Sequence, residues 1–146
     1  MLAQNMIAIA ERSRDFPDSA KKPTPARVLV VDDERLVRWS IAETLTARGH
    51  DVREAADARS AMQELGAGDT TDLVLLDLHL PDCNDLRLLT CIRRKAPATL
   101  VIVMTAFATR EIVEQATALG APVLSKPFDL NDLAADVERA LAGRIY

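Results

Sequence analysis

Several features are scarce in this chain of 146 residues, and each scarcity excludes a class of protein. Two cysteines, Cys83 and Cys91, are too few for a disulfide framework, and their spacing matches no zinc motif. No apolar run approaches membrane-spanning length, and the N-terminus lacks the pattern of a signal peptide. Basic residues number 18 against 22 acidic ones, so the chain lacks the charge with which proteins grip nucleic acids. We therefore expect a cytoplasmic protein with no membrane contact and no direct nucleic acid binding.

From residue 27 onward, short apolar runs alternate regularly with helical periods. The runs predict strands at residues 28–31, 52–55, 72–76, 100–104 and 123–124. The helical periods follow them at residues 35–48, 58–65, 85–95, 109–119 and 130–141. This alternation predicts an α/β fold, a doubly wound five-stranded parallel sheet with helices on both faces. We expect the domain to span residues 27–142, after an N-terminal arm and linker (1–26) and before a C-terminal tail (143–146).

Four of the five predicted strands end in polar residues. Asp32 and Asp33 follow the first strand, Asp77 the third, Thr105 the fourth and Lys126 the fifth. With the flavodoxin-like strand order 2-1-3-4-5, these ends meet at one edge, where open α/β sheets bind ligands. Three carboxylates placed so close repel one another unless a cation lies among them. Mg²⁺ is the favoured ion, because it takes oxygen ligands and leaves room for phosphate.

Asp77 is the candidate nucleophile of this predicted pocket. It follows the apolar run Leu73 to Leu76, and a carboxylate can accept a phosphoryl group as an acyl phosphate. Lys126 would meet the phosphate oxygens as a positive charge and Thr105 as a hydroxyl donor. Neutralising the charge on the transferred group is the main task of a phosphoryl-transfer site. The residues alone thus predict a magnesium-dependent phosphoryl acceptor.

Separated motifs give the chain a family resemblance. They are Val28 to Glu34, Leu75 to Asp82, Val103 to Ala106 and Lys126 to Phe128. On these residues the chain resembles the receiver domain of two-component response regulators, which has a flavodoxin-like fold. The run Leu36 to Ser40 further resembles receivers of enhancer-binding transcription activators. Because the chain ends after its last helix, we expect a receiver without an ATPase or DNA-binding segment.

The resemblance implies a role for each acidic residue of the pocket. Asp77 would take a phosphoryl group from phosphohistidine on a sensor histidine kinase or a histidine phosphotransfer protein. Asp33, Asp77 and the backbone carbonyl of His79 would bind Mg²⁺ directly, and Asp32 would bind it through water. Such a receiver catalyses its own phosphorylation and dephosphorylation and is otherwise a signalling protein rather than an enzyme.

The resemblance also implies how the phosphoryl group is sensed. Thr105 and Lys126 would contact it, and the bond between Lys126 and Pro127 would be cis. Inward movement of Thr105 would rearrange the face made by the fourth helix, the fifth strand and the fifth helix. The expected readers of that face are an unidentified downstream protein or a second phosphorylated copy, in a homodimer.

Two positions depart from the family pattern and keep an alternative open. Val123 stands where receivers usually carry an aromatic residue, three positions before the lysine. Asn84 and Asp85 stand where the loop after the acceptor usually carries a glycine, so the backbone is more restricted and a carboxylate is added. The alternative is a degenerate receiver that works as a phosphorylation-independent adaptor.

Two further alternatives come from other classes. A phosphatase of the haloacid dehalogenase type also uses a strand-end aspartate, Mg²⁺, a threonine and a lysine. It normally has a second aspartate two residues after the first, where this chain has His79. A flavodoxin-like flavin carrier needs a phosphate-cradling loop after its first strand, where Asp32 and Asp33 would repel the cofactor. Both positions favour the receiver.

Overall fold

The computed structural model describes residues 25–68 and 70–143. Its strands are β1 (Arg27–Val31), β2 (Asp51–Ala55), β3 (Leu73–Asp77), β4 (Leu100–Thr105) and β5 (Val123–Ser125). Its helices are α1 (Arg35–Ala47), α2 (Ala58–Leu65), α3 (Arg87–Lys95), α4 (Arg110–Ala118) and α5 (Leu130–Gly143). Most of the predicted N-terminal arm (1–26) and C-terminal tail (143–146) lies outside the described residues.

The five strands form one parallel sheet in the order β2-β1-β3-β4-β5. The predicted α/β class and the flavodoxin-like order are thereby confirmed. β1 and β3 are neighbours although the chain forms β2 between them, so the connections leave this point in opposite directions. The carboxyl ends of β1 and β3 therefore open the crevice in which doubly wound sheets bind ligands.

Helices cover both faces of the sheet. α1 and α5 pack on one face, where Ile41, Leu45, Leu133 and Val137 belong to one buried cluster. α2, α3 and α4 pack on the other face, in a second buried cluster. Successive side chains of a strand point to opposite faces, so each central strand supplies both clusters. None of these described helices is long and apolar enough to cross a membrane.

β3 is buried along its whole length, as the run of four apolar residues predicts. Leu73 and Leu75 join one cluster, and Val74 and Leu76 join the other. Burial of each such side chain stabilises the fold by roughly 1.5–3 kcal/mol. A strand held this firmly on both faces fixes the position of the carboxylate at its end, Asp77.

Local polar residues set the ends of the helices. Asp57 caps α2 by accepting a hydrogen bond from the N–H of Ser60 at 2.7 Å, as predicted. α3 begins at Arg87, later than the predicted residue 85, because the Asp85 carboxylate accepts from the N–H of Arg87 at 2.9 Å. Asp85 therefore precedes the helix and satisfies one of its first N–H groups.

Candidate functional site

Strand register places the polar strand ends side by side. The residue just before Asp32 in β1 pairs with the residue just before Asp77 in β3, so Asp32 and Asp77 are neighbours. Thr105 comes directly after the β4 residue that pairs with Asp77. In the same way, Lys126 comes directly after the β5 residue that pairs with Thr105. Residues as far apart as 32 and 126 thus meet at one edge of the sheet.

Three carboxylates form an acidic cluster at this edge. Asp32, Asp33 and Asp77 each place one oxygen within 4.8 Å of the others. Asp32 is 0% exposed and Asp77 is 3% exposed, whereas Asp33 is open to solvent. The N–H of Glu34 donates to Asp32 Oδ1 at 2.8 Å, and the N–H of His79 donates to Asp77 Oδ1 at 3.1 Å. These bonds fix the orientation of both buried carboxylates.

The ammonium group of Lys126 lies among the carboxylates. Its Nζ is 2.7 Å from Asp32 Oδ2, 3.4 Å from Asp77 Oδ2 and 3.7 Å from Glu34 Oε1. The side chain is 13% exposed, so solvent screens these attractions less than it would at the surface. Burial alone lowers the pKa of Lys126, but the hydrogen bond and charge of Asp32, with the charges of Asp77 and Glu34, raise it overall. The lysine is therefore held as a cation.

The charges in the cluster do not balance. The three carboxylates and Lys126 leave a formal charge of −2. Burial raises the pKa of Asp77; the N–H of His79 opposes this shift, the charge of Asp32 adds to it, and Lys126 opposes it. Because the environment of Asp77 disfavours its charged form, a further cation beside it would lower the energy of the cluster.

The donor set fits Mg²⁺. This ion takes oxygen ligands, usually one or two carboxylates, and keeps several waters. Carboxylate oxygens within 4.8 Å of each other are near enough to share one such ion directly or through water. The formal charge of the cluster matches that of the ion, and the exposure of Asp33 leaves room for water and phosphate oxygens.

Thr105 and two rings complete this edge. Thr105 is buried, and its Oγ1 accepts a hydrogen bond from the N–H of Phe107 at 3.0 Å. The rings of His79 and Phe107 meet edge to face, with centroids 5.1 Å apart. Phe107 is 65% exposed, so the ring pair lies on the solvent side of the edge. Metal ligation by the His79 carbonyl stays a prediction, whereas the predicted cis bond between Lys126 and Pro127 is present.

Arg38 supports the site in a way that the sequence pattern does not indicate. Its Nη1 donates to the backbone carbonyl of Asp32 at 2.8 Å, and its Nε donates to Glu54 Oε1 at 3.0 Å. The N–H of Asp32 donates to the carbonyl of Ala55 at 3.1 Å. Arg38 thus ties the end of β1 to β2. A basic residue on a helix is usually solvated, so only the tertiary structure identifies this role.

The two departures from the family pattern have local consequences. Val123 begins β5, is partly buried and packs against a core cluster. Asp85 binds its own loop: its carboxylate lies 2.9 Å from Arg87 Nε, and the hydrogen bonds from the N–H and side chain of Arg87 lower the pKa of Asp85. Every residue with positive φ in the described part of the chain is a glycine, so Asn84 and Asp85 need no glycine-like backbone. Asp85 belongs to the start of α3 rather than to the acidic cluster.

Fold and site together define a class: a doubly wound α/β domain with an acidic cluster, a threonine and a lysine at the carboxyl edge of its sheet. The profile of the response regulator receiver domain matches residues 28–138, and the chain belongs to this family. Receiver domains are signalling modules of two-component systems rather than classical enzymes. They bind Mg²⁺ at an acidic pocket and interact with histidine kinases or phosphotransfer proteins.

Proteins similar to this chain include transcriptional regulators. The DNA-binding transcriptional regulator NtrC of Azospirillum brasilense is 38% identical over 117 residues, which are 80% of this chain and 24% of NtrC. The transcriptional regulatory protein PdtaR of Mycobacterium tuberculosis is 38% identical over 125 residues, which are 84% of this chain and 60% of PdtaR. Both regulators are thus longer than the region they share with this chain.

A solved structure resembles most of the chain. It is that of a CheY-like response regulator receiver domain protein from Methanospirillum hungatei. The TM-score is 0.78 at 26% identity, and the match covers 83% of this chain and 97% of that one. This likeness agrees with the strand order and with the family assignment.

Proposed function

We propose that the chain is a phosphoryl-accepting receiver in which Asp77 takes the phosphoryl group from phosphohistidine on a sensor histidine kinase or a histidine phosphotransfer protein. The observation that carries this proposal is the position of Asp77: it ends a buried strand, and its Oδ2 lies 3.4 Å from Lys126 Nζ. A carboxylate oxygen of Asp77 attacks phosphorus, the bond from phosphorus to the histidine nitrogen breaks, and the ring keeps the electron pair. The product is an acyl phosphate.

The proposed direct ligands of Mg²⁺ are Asp33, Asp77 and the carbonyl of His79, with Asp32 bound through water. When bound, the ion neutralises charge on the phosphoryl oxygens. The contacts of Asp32 support its indirect role, since Oδ1 already accepts from the N–H of Glu34 and Oδ2 from Lys126. The solvent exposure of Asp33 supports a direct role, because an incoming ion reaches it first.

Lys126 and Thr105 are the proposed contacts of the phosphoryl group. Lys126 Nζ already lies 3.4 Å from Asp77, so a small side-chain movement brings it to an oxygen of a group attached there. Thr105 donates its hydroxyl hydrogen, while its oxygen accepts from the N–H of Phe107. Movement of the hydroxyl towards the phosphoryl group pulls on this bond and on the loop that leads into α4. The face formed by α4, β5 and α5 then changes for a downstream protein.

The proposed setting is the cytoplasm. Both cysteines, Cys83 and Cys91, are free thiols, which suits a reducing compartment. The reader of the α4-β5-α5 face is a downstream protein or a second phosphorylated copy. The molecular mass of the phosphorylated chain in solution distinguishes a homodimer from a monomer that binds another protein.

Intact mass spectrometry after incubation with acetyl phosphate and Mg²⁺ tests the proposal. The wild-type chain gains one phosphoryl group, and Asp77→Asn gains none. Asp51→Asn is the matched control, because Asp51 is an exposed carboxylate at the start of β2, at the opposite edge of the sheet. Phosphorylation of Asp77→Asn to the wild-type extent would place the acceptor elsewhere and contradict the proposal.

Other outcomes of this experiment support the alternatives. A wild-type chain that gains no phosphoryl group, from acetyl phosphate or from a phosphorylated kinase, supports the phosphorylation-independent adaptor. Repeated turnover of p-nitrophenyl phosphate by the wild-type chain supports a phosphatase of the haloacid dehalogenase type. A receiver forms one acyl phosphate per chain and loses it by hydrolysis, without turnover of phosphomonoesters.

A further inference from the structure

We infer that Asp82 is a positioning residue of the metal site, because its carboxylate fastens the loop between β3 and α3 to the start of α2 and so holds the His79 carbonyl in place. This inference rests on the proposed function, since it takes that carbonyl to be a ligand of Mg²⁺. Asp82 Oδ1 accepts a hydrogen bond from the N–H of Ala58 at 2.8 Å, and Oδ2 accepts from the N–H of Arg59 at 3.0 Å.

Asp82 caps a helix to which it does not belong. Ala58 and Arg59 are the first two residues of α2, so their N–H groups have no carbonyl partner within that helix. Asp57, the residue before the helix, accepts from the N–H of Ser60, the third residue. A carboxylate is favoured at this position because the start of a helix carries the positive end of its dipole. The two bonds of Asp82 join segments that are 23 and 24 residues apart.

The turn that carries Asp82 also sets the orientation of the His79 carbonyl. Leu80 N–H donates to the carbonyl of Cys83 at 3.1 Å, and Cys83 N–H donates to that of Leu80 at 3.3 Å, which closes a turn around Asp82. The His79 carbonyl and the Leu80 N–H belong to one planar peptide group and point in opposite directions. The carbonyl of His79 therefore points away from the turn, and the position of the turn decides where that oxygen lies.

Several contacts hold this loop in place. Leu78 and Leu80 are buried and anchor it to the core. Asp82 adds side-chain hydrogen bonds to α2, and no other side chain of this turn does so among the described residues. Loss of a group that orients a metal ligand from outside the coordination sphere typically weakens metal binding tenfold or more. Loss of the Asp82 carboxylate should let the turn shift against α2 and misplace the His79 oxygen.

A Mg²⁺ titration of the full chain, followed by amide NMR shifts around Asp77, tests this role in three variants. Asp82→Ala should bind Mg²⁺ about tenfold more weakly than wild type. Asp57→Ala is the matched control, since it removes a carboxylate cap from the same helix but leaves the loop attached; its Mg²⁺ affinity should stay close to wild type. Asp82→Asn keeps one of the two acceptor oxygens and loses the charge, so its Mg²⁺ affinity should lie between those of wild type and Asp82→Ala. Both alanine variants should lower the melting temperature, because both remove a cap.

A second measurement needs no variant. Coupling between two parts of a protein is reciprocal, so Mg²⁺ bound at the loop should stabilise the start of α2. In the wild-type chain, Mg²⁺ should slow hydrogen exchange of the N–H groups of Ala58 and Arg59. The N–H of Asn131 at the start of α5 is also capped by a carboxylate, that of its near neighbour Asp129, and it should exchange at an unchanged rate.

The results separate failure of this inference from failure of the proposed metal site. Wild-type chain that binds no Mg²⁺ would overturn both. If wild type binds Mg²⁺ and both alanine variants bind it as tightly as wild type does, the buried leucines suffice and the inference is wrong. Equal weakening by Asp57→Ala and Asp82→Ala would show that loss of a helix cap, rather than loss of the link to the loop, lowers the affinity, and would also overturn the inference. Hydrogen exchange of the Ala58 and Arg59 N–H groups at the same rate with and without Mg²⁺ would also overturn the inference.

Discussion

The two edges of the central sheet hold buried polar groups in different ways. At the carboxyl edge, Asp32, Asp77 and Lys126 contact one another, and the cluster keeps an unbalanced negative charge. At the amino edge, His50 is 4% exposed and binds backbone: its Nδ1 accepts from the N–H of Ala26 at 3.2 Å. Its Nε2 has no hydrogen-bond partner among the described residues.

This difference separates groups that can change partners from a group that cannot. Lys126 lies within 3.7 Å of three carboxylates, so it can exchange one for a phosphate oxygen at small cost. The ring of His50 has one hydrogen bond, to a backbone N–H, and burial lowers its pKa, which keeps it neutral. Substitutions at the carboxyl edge should therefore change chemistry, and substitutions at the amino edge should change only stability.

Replacement of Lys126 should have the largest effect. Lys126→Met removes the cation that meets the transferred group, and phosphorylation of Asp77 by acetyl phosphate should slow about 100-fold. The measurement is a time course of intact mass. Lys95→Met, at the exposed end of α3, is the control and should react at the wild-type rate. A wild-type rate in Lys126→Met would remove the lysine from the mechanism.

The ring pair at the solvent side should affect the lifetime of the phosphoryl group more modestly. His79→Asn or Phe107→Glu opens the contact between the two rings, so water should reach the acyl phosphate more easily and shorten its half-life severalfold. Decay of the phosphorylated species by mass measures this. Val113→Ala, which removes exposed apolar surface on α4, away from the ring pair, should leave the half-life unchanged. Unaltered half-lives in both ring variants would dispose of the hypothesis.

Neutralising Asp77 should stabilise the fold when no metal is present. Its pKa is raised above the ordinary 3.8 by burial, so the folded state disfavours the charge that the carboxylate carries at neutral pH. Asp77→Asn should raise the free energy of unfolding in EDTA by on the order of 1 kcal/mol. Denaturant unfolding at neutral pH measures it, with Asp51→Asn as a control expected to change little. A lower stability of Asp77→Asn would mean that attraction to Lys126 outweighs burial.

His50 should give the smallest effect, a dependence of stability on pH. Burial is the main cause of its lowered pKa; Glu138 opposes the shift and Arg48 adds to it. The unfolded chain therefore binds a proton more readily, and stability should fall as the pH drops through the ordinary pKa of 6.5 towards the folded value.

Comparison of the wild-type chain with His50→Gln isolates the contribution of His50 to the pH dependence of stability. His50→Gln should lose less stability than wild type between about pH 7.5 and 5.5, because the histidine is gone. Urea unfolding at both pH values gives the change in the free energy of unfolding for each chain. Phosphorylation of His50→Gln should proceed at the wild-type rate, since the residue lies at the other edge of the sheet. Equal pH dependence of the two chains would show that His50 is not the group responsible.

The strand-end residues of the site are predictable from the sequence because two simple rules meet there. A buried parallel strand needs no polar residue until it ends, so Asp32, Asp77 and Thr105 stand out after apolar runs. The carboxyl ends of parallel strands lie at one edge, so these residues must approach one another. Roles in metal binding and phosphoryl transfer come from the chemistry of the residues and from the family resemblance, and they stay predictions.

The supporting residues are not predictable in the same way. Arg38 and Asp82 are ordinary surface types in the sequence. Arg38 binds Glu54, 16 residues away, and Asp82 binds N–H groups that are 23 and 24 residues away. Which carbonyl or N–H they meet depends on how helices pack against the sheet, which periodicity does not give. The start of α3 is a local example of a feature that periodicity does not predict. The helix begins at Arg87 because the side chain of Asp85 accepts a hydrogen bond from the N–H of Arg87.

The chemical fate of residue 77 tests the central claim most directly. Borohydride reduces the carbonyl of an acyl phosphate to an alcohol, so a phosphorylated aspartate becomes homoserine. After incubation with acetyl phosphate and Mg²⁺ and then reduction, we expect peptides with homoserine at position 77 and unmodified Asp32 and Asp33. Homoserine at another aspartate, with Asp77 intact, would contradict the assignment of Asp77 as the phosphoryl acceptor.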